Sequence, residues 1–196
     1  MVVHAYYPIG ETRVQRQALA LLDAGYEVDV VCLRDDGESA RETVDGVRVV
    51  RLPVRRSRGR SNLSQFLEYF AFFLMAALRL PLMQRLRRYQ TIQVHNLPDF
   101  LIFAAAIPRL MGARLILDLH DLMPELFAAR QTGGMRSIEV RALLLQERLA
   151  CWFADHVITV TDRWRETLIS RSARADKVSV VMNLADPVLF HPQDAT

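Results

Sequence analysis

Short apolar runs alternate with amphipathic stretches along this chain. Val28-Asp29-Val30-Val31-Cys32-Leu33 is nearly all apolar, as a parallel strand covered on both faces is. The same reading predicts strands at Val2–Tyr6, Glu27–Leu33, Val47–Leu52, Thr91–Val94, Arg114–Leu119, His156–Val160 and Lys177–Met182. Between them apolar residues recur at helical spacing. Val14, Ala18, Leu21 and Leu22 predict a helix over Arg13–Ala24, with Thr12 as its N-cap and Gly25 as its terminator. Further helices are predicted from Ser61 or Asn62 to about Arg88, with a kink or break at Pro81, and from about Asp99 to Met111. A short helical segment follows at Met123–Ala129, then helices at Ser137–Phe153 and Asp162–Ser172, the last capped by Thr161. Strands alternating with helices predict one α/β domain over 1–196. Its core is a doubly wound, mostly parallel sheet of about seven strands with helices on both faces.

Composition narrows the class. The chain has 196 residues, 51% hydrophobic and 24% charged, with net charge +3, which suits one full core. Cys32 and Cys151 lie far apart in apolar runs, with no CxxC or Cys/His cluster, so buried thiols in a reduced, cytoplasmic protein are expected. No signal peptide is recognisable at the start.

One helix is unusual. Phe66 to Leu80 is apolar nearly all round, with Arg55, Arg56, Arg58 and Arg60 before it and Arg85, Arg87 and Arg88 after it. Glu68, Arg79 and Pro81 interrupt it, which argues against a membrane span. Two readings remain. The helix is buried on the sheet with its arginines at the wet ends. Or it lies on an anionic membrane surface, with Phe70 and Phe73 toward lipid and Arg55, Arg56, Arg58 and Arg60 toward headgroups. Aromatic residues do not interleave with the arginines, so no nucleic-acid partner is expected.

The candidate chemistry gathers where strands end. Leu115-Ile116-Leu117-Asp118-Leu119-His120-Asp121-Leu122-Met123-Pro124-Glu125 begins as a buried strand and finishes in polar groups. Ligands of open α/β sheets bind just beyond the carboxyl ends of the strands. His95-Asn96 ends the preceding strand in the same way. The loop at Gly10 follows the first strand and precedes a helix, a position suited to a phosphate or a sugar. G-x-G-x-x-G, G-x-x-x-x-G-K-[ST] and G-x-S-x-G are all missing, which argues against NAD or FAD, P-loop and α/β-hydrolase chemistry. The histidine and acid spacing does not demand a metal.

Several of these stretches resemble glycosyltransferase family 4. They are Val3-His4-Ala5-Tyr6-Tyr7-Pro8, Arg13 to Leu22, Ala24 to Val30, Asp118 to Glu125, Val157 to Thr161, and Asn183-Leu184-Ala185-Asp186-Pro187-Val188-Leu189-Phe190. The resemblance implies the N-terminal, acceptor-side domain of a glycosyltransferase-B fold, in which two Rossmann-like domains face across a cleft. Such enzymes move a sugar from a nucleotide donor to a glycan or lipid-linked acceptor, as in polysaccharide biosynthesis. They typically retain anomeric configuration and use no metal or other cofactor. By this resemblance His120 is the catalytic residue, near the transferred sugar. Gly10 approaches the donor phosphates, though the family's common Gly-Gly pair is reduced here to one glycine. Arg13 would meet an anionic acceptor, and Asp121 and Glu125 would position the loop or contact acceptor. His95 and Asn96 are further candidate substrate contacts from their strand-end position. The nucleotide-sugar domain, with its paired glutamates, lies outside this sequence, so the domain alone is expected to be inactive. The enzyme would be cytoplasmic, peripheral on the inner face of the cell membrane. The alternative is a non-catalytic module of flavodoxin-like or response-regulator-like shape.

Overall fold

The computed structural model describes residues 1–56, 62–129 and 134–183. Its strands are β1 (Asp29–Leu33), β2 (Arg41–Val44), β3 (Val47–Leu52), β4 (Thr91–His95), β5 (Arg114–Leu119), β6 (His156–Thr159) and β7 (Val178–Val180). Its α-helices are α1 (Thr12–Asp23), α2 (Asn62–Arg87), α3 (Ala106–Leu110), α4 (Met123–Ala128), α5 (Ile138–Phe153) and α6 (Asp162–Arg171). A 3₁₀ helix at Asp99–Ala105 leads into α3, where one longer helix was expected.

The strands form a parallel four-stranded sheet, β4-β5-β6-β7, and a three-stranded group, β1-β3-β2. The largest parallel sheet thus has four strands rather than about seven. The expected first strand, Val2–Tyr6, shrinks to a bridge at Val2, which pairs with both Val31 and Val94 and so joins the two groups. Bends at His4 and Ala5 interrupt the ladder beyond it.

β2 was not expected. It is polar and exposed, and pairs antiparallel with β3. Asp45 and Gly46, at φ 49° and 83°, close the hairpin with two successive left-handed residues, as a type I′ turn requires.

β1 is buried along its whole length, and its side chains alternate between two cores. Val30 and Cys32 pack with Val14 and Ala18 of α1, while Val31 and Leu33 pack with Phe72, Ala76 and Leu80 of α2. That alternation is the doubly wound architecture seen from one strand. Both cysteines are buried free thiols, and burial pushes the Cys32 thiol up to about 12.

α2 continues through Pro81 without a break. Its inner side carries Phe72, Ala76, Leu80 and Met83, all buried. Glu68, its single acid, is buried too, and lies 3.0 Å from His4 Nε2. The outer side is also apolar: Leu63, Phe66, Leu67, Phe70, Leu74, Leu78, Leu82 and Leu86 are exposed. The expected burial on the sheet thus holds for the inner face, while the outer face is apolar and exposed. Phe70 is on the outer face, whereas Phe73 packs partly against the core and edge-on to Phe100 at 5.7 Å. Arg55 is exposed and pairs with Asp36, and Arg56 is exposed. Arg58 and Arg60 lie outside the described residues.

Candidate functional site

The register of the parallel sheet sets His95 opposite Asp118 at the carboxyl ends of β4 and β5. Asp118 is fully buried and is the hub of the site. Arg13, near the start of α1, grips it with Nε at 3.2 and 3.0 Å from the two oxygens and Nη2 at 2.9 Å. Gln17, one turn along α1, donates to Asp118 Oδ2 at 3.1 Å, and Gln93 from β4 donates to the same oxygen at 3.2 Å. His95 Nδ1 stands 3.3 Å from Oδ2. Burial alone would raise the Asp118 carboxyl, but the hydrogen bonds and charges of His95 and Arg13 outweigh it. They hold Asp118 well below the usual carboxylate range.

Arg13 was expected to meet an anionic acceptor. It is buried instead, and its Nη1 donates to Val181 O at 2.9 Å and Asn183 Oδ1 at 2.7 Å. It therefore ties α1, β5 and the chain just past β7 into one frame. Thr12, expected as the N-cap of α1, is instead its first helical residue, and the N-cap, Glu11, makes no side-chain cap.

His95 and Asn96 also serve the frame rather than the surface. His95 has no exposed area, and Asn96 is 2% exposed. Asn96 Oδ1 accepts the His120 backbone N–H at 3.1 Å, while its Nδ2 donates to Asp121 O and to Asp99 Oδ1 at 3.1 Å. All of this amide's polar atoms are spent on holding the His120-Asp121 turn against the end of β4. Both were expected as substrate contacts; both side chains are buried within the frame.

His120 and Asp121 remain at the surface of the frame, both half-buried. The two histidine rings lie 6.3 Å apart, with His95 behind. His120 Nδ1 is buried with no hydrogen-bond partner among the described residues. Burial lowers the His120 pKa, against the opposing pull of Asp118, so the ring is neutral near pH 7. A neutral imidazole offers one donor and one acceptor. Glu11 is drawn into the same field: burial, then Asp118, raise its pKa. Nothing in the sequence pattern singled out Glu11, Gln17 or Gln93.

Two expected residues lie apart from this cluster. Gly10 is exposed ahead of α1 at φ +105°. A Cβ there would meet only Tyr6 O at 3.8 Å, so the backbone conformation rather than space calls for glycine. Glu125 binds Arg171, with one contact at 2.9 Å, and Arg171 also holds the buried Glu147 at 2.6 Å. Glu125 thus fastens α4 to α5 and α6, a positioning role, with its side chain partly exposed.

His95, Asp118 and His120 bring ligand atoms within 4.8 Å of one another, a spacing that could hold a metal ion. The donor set does not fit one. Both Asp118 oxygens are already taken by Arg13 and the two amides, and a cation there would sit against the guanidinium.

Asp99 has no role toward solvent, yet it is a carboxyl group at 1% exposure. Burial pushes its pKa from 3.8 up to about 7, and the Asn96 hydrogen bond only partly opposes this. A raised acid costs nothing below its unfolded value and its full amount above its folded one. Asp99→Asn is therefore expected to stabilise the fold by of order 2–4 kcal/mol more at pH 8 than at pH 4. Thermal unfolding at the two pH values checks this; an equal shift at both would contradict a proton held by Asp99.

The family described as "Glycosyl transferase 4-like domain" matches residues 10–183. No curated protein matches the sequence significantly. Among solved structures, sucrose-phosphate synthase from Thermosynechococcus elongatus superposes at TM-score 0.70 and 17% identity, over 98% of this chain and 49% of that one. HepE of Anabaena, solved in complex with UDP and glucose, superposes at TM-score 0.57 and 17% identity, over 98% of this chain and 46% of that one. The chain spans about half the length of either protein, and at such identities the likeness is one of fold. The chain belongs to the glycosyl transferase 4-like family, with the fold of a Rossmann-like glycosyltransferase-B half.

Proposed function

We propose that this chain is the acceptor-binding N-terminal half of a retaining glycosyltransferase. The whole protein takes a sugar from a nucleotide-sugar donor and delivers it to a glycan or lipid-linked acceptor. It works on the cytoplasmic face of the membrane. The observation that carries this reading is His120. In a family member, a rigid buried frame presents one neutral, half-buried imidazole just past the end of β5.

His120 hydrogen-bonds a hydroxyl of the transferred sugar as charge develops at the anomeric carbon. Asp121, beside it, meets the acceptor. The first turn of α1 has no side-chain cap, so its N–H groups and the Gly10 loop can face the donor phosphates. The donor's nucleotide is bound by a second Rossmann-like domain beyond this sequence. No metal takes part, a reading supported by the saturation of Asp118. The outer leucines of α2 support a membrane-proximal acceptor.

Three readouts on the full-length protein test this. Transfer is expected to persist in excess chelator, and the product is expected to keep the donor's anomeric configuration by NMR. Residues 1–196 alone are expected to give no turnover. Metal-dependent transfer, an inverted product or turnover by the isolated domain would each contradict the reading.

A further inference from the structure

We propose that a cavity at the far end of α2 binds the phosphate of an anionic lipid headgroup. The cavity, about 310 Å³, is lined by Asp29, Arg41, Arg48, Arg79, Arg87 and Tyr89. It sits where β1 and β3 begin, at the opposite end of these strands from the ends that lead toward the His120 site.

Its charges do not cancel. Asp29 is already bound by Arg48 Nε and by the Tyr89 hydroxyl at 2.6 Å, and Arg48 turns its other nitrogen to Glu27 at 2.7 Å. Glu42, also on the wall, is paired with Arg51 at 2.6 Å. Arg41 and Arg79 have no polar partner among the described residues, and Arg87 reaches Asp29 only at 3.9 Å. Three guanidinium groups are thus left around one concavity with the carboxylates spent elsewhere. Guanidinium forks suit phosphate oxygens, and their weak hydration makes them suited to an interface.

The rim identifies the source of the phosphate. Leu74, Leu78, Leu82 and Leu86 are exposed by 45%, 75%, 57% and 82%. Each step of four residues turns the stripe by about 40° around the helix, which brings Leu86 onto the cavity wall beside Arg87. A free anion needs no apolar rim. A lipid needs both, with its phosphate among the arginines and its chains along the leucines. α2 would then lie flat on the membrane.

This proposal rests on the membrane placement proposed above, not on sugar transfer. The test is co-sedimentation of the full-length protein with phosphatidylglycerol-containing and pure phosphatidylcholine vesicles. Wild type is expected to prefer the anionic vesicles. Arg41→Gln/Arg79→Gln is expected to lose at least tenfold more affinity than Arg85→Gln/Arg88→Gln, which removes equal charge from the same end of α2 outside the cavity. Arg41→Lys/Arg79→Lys, which keeps the charge, should fall between them. Since Arg41 and Arg79 make no internal polar bond, all variants should keep the wild-type thermal midpoint. Equal losses in the two glutamine pairs would reduce the site to diffuse attraction and overturn the proposal. Binding of inorganic phosphate without vesicle binding would overturn the lipid source. No anionic preference in wild type would overturn both this site and the membrane placement, with the glycosyltransferase reading intact.

Discussion

Arg13→Ala is expected to lower the unfolding free energy by about 3–5 kcal/mol, the range for removing one partner of a buried ion pair. The cost arises from what stays behind. Asp118, with no exposed side chain, would keep only Gln17, Gln93 and His95. Its carboxylate would be left without the one permanent positive charge in its shell. The chain past β7 would also lose the donor that holds Val181 O and Asn183 Oδ1. Arg13→Lys is expected to recover little, because one ammonium cannot span Asp118 and Val181 together. Removing both partners in Arg13→Ala/Asp118→Ala should cost less than the two single losses added, the signature of direct coupling. Denaturant unfolding of the four proteins measures it. A loss under about 1 kcal/mol for Arg13→Ala, as exposed pairs give, would show that the frame does not depend on this contact.

His120→Ala is expected to lower turnover by about 10²–10³-fold, the usual effect of deleting one preorganised transition-state donor. The fold should hardly notice. His120 is half-buried and its ring has no hydrogen-bond partner among the described residues, while its backbone N–H bond to Asn96 survives any substitution. Catalysis and stability are thus expected to divide between neighbouring residues, with Arg13 and Asp118 carrying the frame and His120 the proposed chemistry. If the loss falls in kcat rather than KM, the imidazole acts on the transition state and not on ground-state binding.

Much of this was readable from residue pattern. The buried run Leu115–Leu119 ends in His120, a continuous apolar run located β1, and helical spacing and caps located α1, α5 and α6 to within a few residues. Thr161 caps α6 as its type suggested, accepting from the Trp164 N–H. What pattern could not show was partnership. Arg13 and Asp118 are 105 residues apart, and an arginine at a helix start looks available until the fold places a carboxylate in front of it. Asn96 looks like a site residue from its position, and only burial shows that its amide is spent on the turn. β2 was missed because Arg41, Glu42 and Thr43 are polar and exposed, as an edge strand allows. The two faces of α2 were indistinguishable because both are apolar, so periodicity carried no information on which one meets the sheet.

The most direct test of the central claim is acceptor-dependent release of nucleoside diphosphate from a panel of nucleotide sugars by the full-length protein, with His120→Ala measured beside wild type. Wild type is expected to turn over at least one donor. The variant is expected to be at least a hundredfold slower, at an unchanged thermal midpoint. Equal turnover by the two proteins would remove His120 from the mechanism, and no turnover of any donor would contradict the proposed function itself.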